Sequence, residues 1–385
     1  MHIQDIVEIV ESAFNENELI NYNKHFINIS EKQNIPQKIH ELTNLNLVVK
    51  VSSSGIYSMV MKIHKEISFA LLPILKTELS YLERTGILTG SNSGDKDYLI
   101  ERISSEIFIK YKQLENTICK IIEKNISSYE LLLTRLSCDL LDIRSNFKIE
   151  FGNIIDELIF LGDSHSYGGG VTLIKLNNGE LIYKPHDINC EMFFNNLMSI
   201  VKGKTIGVIA CNDYGWVQYI RHSPPHTTNK SFFNLGKLQE ITYSVMLKDL
   251  HQSNVCFDEN IFFVLDSECL FSSPCDILGL GFYTNNNIYD YLIVPRESTS
   301  DRVNLRRLSP LANLLDSSFK TQESIQSHIG YFIFGFISMY IEILKNKEAV
   351  INLVNNSLFD VKTRVVIRVT GFYYGLLQDL YHPRV

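Results

Sequence analysis

Residues 152–186, GNIIDELIFLGDSHSYGGGVTLIKLNNGELIYKPH, limit the fold more than any other stretch of the chain. Short apolar runs, a glycine cluster and an Asn-Asn-Gly turn follow one another there, the pattern of successive β-strands joined by tight turns. A β-rich lobe is therefore expected to begin near residue 150. Before it, apolar residues recur at spacings of three and four from Ile56 to Leu82 and from Tyr98 to Leu141, which predicts helices. The string GSNSGD from Gly90 to Asp95 predicts a turn or exposed loop. After the lobe begins, further short strands are expected at Thr205–Cys211, Gly215–Ile220, Ile261–Leu265 and Asp290–Val294, with helix returning from about Leu311. The fold class is α+β, with a helical region over 1–150, a β-rich lobe over 151–225 and a second lobe over 226–385.

Composition narrows the function. With 385 residues, 45% of them hydrophobic, the chain can bury a sizeable core, and its net charge of -7 argues against nucleic acid as a partner. Seven cysteines (Cys119, Cys138, Cys190, Cys211, Cys256, Cys269 and Cys275) form no CxxC and no regular spacing. That pattern fits a reducing compartment better than a disulfide framework, and the acidic N-terminus does not read as a secretory signal, so a cytoplasmic location is expected. The apolar stretch Tyr331–Leu344 is broken by Gly335, Ser338 and Glu342 and falls short of the about 20 residues a span needs, so a buried core helix is expected there and no membrane span.

Three segments carry chemistry. The first is the glycine-rich turn Gly162 to Gly170, whose backbone at Gly168 and Gly169 can approach phosphates, followed by a strand ending in Lys184, which can reach them. By itself the segment also reads as a glycine-rich hairpin beside a solvated lysine. The second is Asp249-Leu250-His251-Gln252-Ser253-Asn254, with Asp and Asn five apart as in the kinase catalytic loop. Phosphoryl transfer uses such a carboxylate to orient the attacking hydroxyl and such an amide oxygen to hold a metal. The third is Asp266-Ser267-Glu268 directly after an apolar run, where Asp266 suits magnesium and the alternative is a solvated acidic turn. The order of glycine turn, strand lysine, DxxxxN and strand-DxE is that of a kinase, which implies ATP and Mg2+ as cofactors.

At these residues the chain resembles the dehydratase domain of the class II lanthipeptide synthetases. The matching segments are GDxHxxG from Gly162, Tyr183-Lys184-Pro185, Tyr214 to Val217, DLHxxN from Asp249, and Arg364 to Thr370 followed by Tyr373 and Tyr374. The resemblance runs from about Leu158 to Tyr374. It implies a kinase-like two-lobed fold similar to lipid kinases, and a reaction in which Ser or Thr of a leader-bearing precursor peptide is phosphorylated and phosphate is then eliminated. It also implies that Lys184 contacts ATP phosphates, that Asp249 and His251 serve phosphorylation, and that Asn254 and Asp266 hold magnesium. Elimination falls to Asp163, His165, Arg364 and Thr370. Independently of the family, an arginine suits expulsion of phosphate because its guanidinium fork matches phosphate oxygens and stays charged. Arg364 and Arg368, four apart, also fit one solvated helical face.

Two departures stand out. The family's arginine after Tyr-Lys-Pro is His186 here, and nothing after residue 275 has the Cys and His spacing of the family's zinc cyclase. Ring closure is thus expected to need a separate cyclase, or the product is used without rings. A kinase that stops at a phosphorylated product is the alternative, and a non-catalytic peptide-binding module the third reading.

Overall fold

The computed structural model describes residues 34–86, 107, 109–161, 169–223, 228–247, 250, 254–271, 322–357 and 359–364. The chain divides into two compact units, one comprising Met1–Pro185 with Arg368–Val385 and the other His186–Ile367. This division follows compactness, whereas lines at 150 and 225 follow changes of local sequence pattern.

In the first unit, helix α1 (Ile35–Thr43) buries Ile35, Ile39 and Leu42, one stripe of a 3.6-residue period, with proline in its first turn. Strand β1 (Lys50–Val51) leads into α2 (Ser53–Arg84), and α3 (Gln113–Phe147) follows. The apolar stripe of α3 contains one polar residue, Asn125, whose amide nitrogen donates to Ile121 O at 2.9 Å and to Glu66 on α2 at 2.6 Å. Glu66 also accepts from Lys62 at 2.6 Å, and the Tyr129 hydroxyl of α3 donates to Met59 O at 2.9 Å. Buried polar groups on the two helices are thus satisfied by each other, which fixes their register as apolar contact alone would not.

Strands β2 (Ile154–Leu161), β3 (Val171–Leu176) and β4 (Gly179–Lys184) form an antiparallel meander, and β1 adds to the edge of β2 in parallel. Leu176 pairs with Gly179, so Asn177 and Asn178 make the two-residue turn expected from Asn-Asn-Gly. The string at 90–95 and the strand expected at Asp290–Val294 lie outside the described residues.

The second unit contains α4 (Asn189–Ile200), the hairpin β5 (Val208–Ala210) and β6 (Gly215–Gln218), α5 (Asn229–Ser244), the hairpin β7 (Val255–Asp258) and β8 (Ile261–Val264), α6 (Gln322–Lys345) and α7 (Lys347–Ser357). One apolar core gathers Phe193, Phe194, Leu197, Phe232, Leu235, Leu238, Val255, Phe257 and Met339. Helices α5 and α6 cross at two glycines. A Cβ on Gly236 would stand 1.9 Å from Phe332 O, and one on Gly335 would stand 1.9 Å from Phe233 O.

The expectation of a buried core helix over Tyr331–Leu344 needs correction. Gly335 and Met339 face the core, but Phe334 is 63% exposed and Tyr331, Ile333, Ile337, Ile341 and Leu344 are exposed as well. The helix is also longer than its most apolar stretch. Ser327–Lys345 is long and apolar enough, by length and composition alone, to cross a membrane. A helix apolar all round gives no periodic sign of which face is covered, so the sequence could not separate core from exposed face.

Candidate functional site

In the first unit Lys184 closes β4 and is only 5% exposed. Its neighbour Tyr183 pairs with Thr172 across the hairpin, and the Tyr183 hydroxyl accepts from Arg135 on α3 at 2.6 Å. The Thr172 hydroxyl donates to Gly170 O at 2.9 Å, pinning the end of the glycine turn to the start of β3. Gly169 sits close to its neighbours: a Cβ there would lie 2.8 Å from Ser128 Oγ, which can rotate away, and 3.4 Å from Pro185. Gly169 therefore packs against α3 and against the residue after Lys184. A lysine this buried is seldom found without a functional or ionic partner, because desolvating its charge is costly. Asp163, His165 and Gly168 lie outside the described residues, as do Asp249, His251 and Thr370.

The second unit holds Asn254, Asp266 and Arg364. Val255 pairs with Val264, so the β7–β8 hairpin folds the segment between Asn254 and Asp266 back on itself. Leu265 N donates to Asn254 O at 2.8 Å, placing the amide residue beside the segment that carries the aspartate. The amide and carboxylate oxygens of this pair are hard donors of the kind magnesium takes. Asp266 Oδ1 accepts from Glu268 N at 3.1 Å, a local turn that sets the direction of the carboxylate.

Glu268, which the sequence marks as half of an acidic pair without giving it a role, is a junction. Its Oε1 lies 2.7 Å from His186 Nε2, and its Oε2 lies 3.2 Å from Arg364 Nη1. The Arg364 backbone N–H donates to Glu268 O at 2.7 Å, so main chain and side chain are both tied to this turn. Residues 361–364 are not helical, and Arg368 lies outside the described residues. Burial works against the charge of Arg364, but the hydrogen bond and charge of Glu268, with smaller help from Cys269 and Asp266, outweigh it and raise its pKa above the ordinary value.

Glu191, on the first turn of α4, is 5% exposed and also belongs here. Among the described residues, His186, Glu191 and Glu268 bring ligand atoms within 4.8 Å of one another, a second donor set besides Asn254 and Asp266. Cys190 Sγ lies 3.4 Å from Lys362 O and 3.9 Å from Glu268 O. Burial pushes its thiol up to about 12, helped by the carboxylates of Glu191, Asp187, Glu268 and Asp266. Four carboxylates are thus close enough to act on this thiol. No local spacing announced the pairing of Glu268 with Arg364, which are 96 residues apart.

A family model described as a domain of unknown function (DUF4135) matches residues 111–298, a span that includes Lys184, Asn254 and Asp266. The chain is also similar to the lacticin 481/lactococcin biosynthesis protein LcnDR2 of Lactococcus lactis subsp. lactis. The two are 23% identical over 332 residues, covering 68% of this chain and 35% of the relative. The matched part is thus about a third of that curated relative's length. Both findings bear out the resemblance to the LanM-type dehydratase read from the motifs.

Proposed function

We propose that this chain modifies a precursor peptide of the lanthipeptide class, phosphorylating Ser or Thr at the expense of ATP and then eliminating phosphate to leave dehydroalanine or dehydrobutyrine. The observation that carries the reading is the placement of Asn254 beside the Asp266 segment by one hairpin, with Arg364 bonded to the same turn through Glu268. Support for the reading is that an amide and a carboxylate suited to magnesium and an arginine suited to phosphate all meet the short segment 265–268.

In the first half-reaction Asp249 orients the peptide hydroxyl and accepts its proton as the oxygen bonds to the γ-phosphorus and the bond to ADP breaks. His251 belongs to the same loop and supports that step. Lys184, after the backbone of Gly168 and Gly169, neutralises phosphate charge. Asn254 and Asp266 would hold magnesium, which would supply screening of charge on the transferred group.

In the second half-reaction the α-proton is removed, its electron pair forms the Cα–Cβ double bond, and the Cβ–O bond breaks to release phosphate. Arg364 stabilises that leaving group with a planar, permanently charged fork, Thr370 adds a hydroxyl donor, and Asp163 and His165 handle protons. The supply of ATP places the reaction in the cytoplasm, and ring closure lies outside the chemistry proposed for these residues.

The test is mass spectrometry of a Ser- and Thr-rich precursor peptide from the same gene neighbourhood after incubation with the protein, ATP and magnesium. Loss of one water per modified residue is expected. Lys184→Ala should abolish modification, whereas Arg364→Ala should leave phosphopeptide. A stable phosphopeptide from the unaltered protein would establish the kinase alternative, and no ATP-dependent mass change would refute both readings.

A further inference from the structure

The sequence gives Arg364 a reason to bind phosphate but none for pointing in any one direction. Arginine side chains lose much rotamer freedom when held in place, so an arginine that must meet a leaving group gains from being oriented beforehand. In the second unit that orientation has a visible cause. Arg364 Nη1 donates to Glu268 Oε2 at 3.2 Å, while the side chain of Arg364 keeps 59% of its surface exposed. The Glu268 side chain is 15% exposed, so the fixed partner is the carboxylate and the reaching partner is the arginine.

Glu268 is in turn held from three sides. His186 Nε2 sits 2.7 Å from its other oxygen, its N–H donates to Asp266 Oδ1, and its carbonyl accepts from the Arg364 N–H. The last two bonds use the backbone of Glu268 and survive any change of its side chain. They register the segment around Arg364 against the turn that carries Asp266.

We propose that Glu268, steadied by His186, is a positioning residue for elimination that orients the Arg364 guanidinium toward phosphate bound next to Asp266. This inference rests on the proposed dehydratase reading and deepens it. Glu268 acts through Arg364 and through no contact of its own with the peptide. His186 supplies to one carboxylate oxygen the restraint that frees the other for the arginine.

The measurement is a double-mutant cycle on elimination alone, with a synthetic phosphopeptide presented together with ADP and magnesium, the state left after phosphoryl transfer. Glu268→Gln keeps the shape and both backbone bonds and removes the charge that holds Arg364. We expect the elimination kcat to fall about tenfold with little change in KM, because orientation is realised in the transition state, and to fall well beyond any loss in phosphorylation of unmodified peptide. Arg364→Lys should cost more, and adding Glu268→Gln to it should cost almost nothing further. His186→Ala should lower the elimination kcat by less than Glu268→Gln does, because Glu268 keeps its bond to Arg364.

A readout apart from turnover is the Arg364 side-chain N–H resonance in arginine-labelled protein, assigned by its absence in Arg364→Lys. It should be sharp in the unaltered protein and broadened in Glu268→Gln. Additive costs in the cycle, or an unchanged Arg364 resonance, overturn the positioning role while leaving the dehydratase reading standing. Failure of the unaltered protein to eliminate phosphate from any phosphopeptide overturns both. Equal losses in phosphorylation and elimination for Glu268→Gln also overturn it, because they would assign Glu268 to the metal side of the site.

Discussion

Gly335→Ala tests the helix crossing that supports the second unit. The added methyl would stand 1.9 Å from Phe233 O and 2.8 Å from Phe233 C, where real Cβ contacts essentially never fall below 3.0 Å. Both obstructing atoms are backbone and cannot rotate away, so α5 and α6 must part by roughly an ångström and lose close packing along their crossing. Overpacking of this kind costs about 1–3 kcal/mol, and rigid neighbours on both sides put the substitution near the upper end. Gly330→Ala is the control, since Gly330 lies on the same helix with nothing within 4 Å of an added Cβ. Relief of glycine's backbone entropy should make that variant more stable by about 0.5–1 kcal/mol. Trp216, the only tryptophan, is fully buried in the same unit, so its fluorescence during urea unfolding reports this region. The midpoint should fall by about 1 M or more in Gly335→Ala and rise slightly in Gly330→Ala. Equal midpoints for the two variants would refute the close crossing.

Two further outcomes follow from buried titratable groups. Burial raises the pKa of Glu240, with the Ser244 hydroxyl at 3.0 Å opposing the shift only in part. A carboxyl whose pKa is raised by folding contributes stability that is complete below its ordinary value and lost as pH rises through the raised one. Glu240→Gln should therefore flatten the decline of Tm between that ordinary value and neutrality and raise Tm at neutral pH; a decline as steep as in the unaltered protein would count against it. Burial also holds the thiols of Cys190 and Cys256 up, to about 12 and about 11, whereas Cys138 is exposed. Mild alkylation near pH 8 followed by peptide mapping should label Cys138 well before either, with Cys190 and Cys256 reacting only after urea is added. Early labelling of Cys190 would mean that its pocket opens readily.

Local pattern made the regular elements legible. The β3–β4 hairpin followed from alternation around Asn-Asn-Gly, and α2 and α3 followed from three-and-four spacing. Strand β1 was not legible because two residues carry no period, and it exists by pairing with Ile154 and Ile155 about a hundred residues later. Strand β7 was missed although Val255–Asp258 sits next to a foreseeable partner in β8. Yet β7 is what brings Asn254 back to the Asp266 segment, so the sequence singled out the two residues before the geometry that joins them. Glu191 was hidden for a different reason. An acidic residue in the first turn of a helix is ordinary sequence, favoured by the helix dipole, and only burial sets this one apart.

A carboxylate bonded to an arginine meant for phosphate looks self-defeating, since the two anions compete for one cation. The geometry removes much of the conflict. Guanidinium offers five N–H donors, and the bond to Glu268 engages Nη1 alone, so a bidentate edge remains for a phosphate approaching from the exposed side. The surroundings sharpen the point. Asp187, Glu191, Asp266 and Glu268 are all close enough to act on the Cys190 thiol, so an anion that arrives without a cation meets like charge here. A bare phosphate would then meet Arg364 against that field. One arriving with magnesium held by Asp266 would meet it with the nearest negative charge already neutralised. Under the proposed dehydratase reading, the acidic setting would favour phosphate that comes metal-bound from phosphorylation, and the Glu268 carboxylate would keep Arg364 extended toward that place before the phosphate arrives.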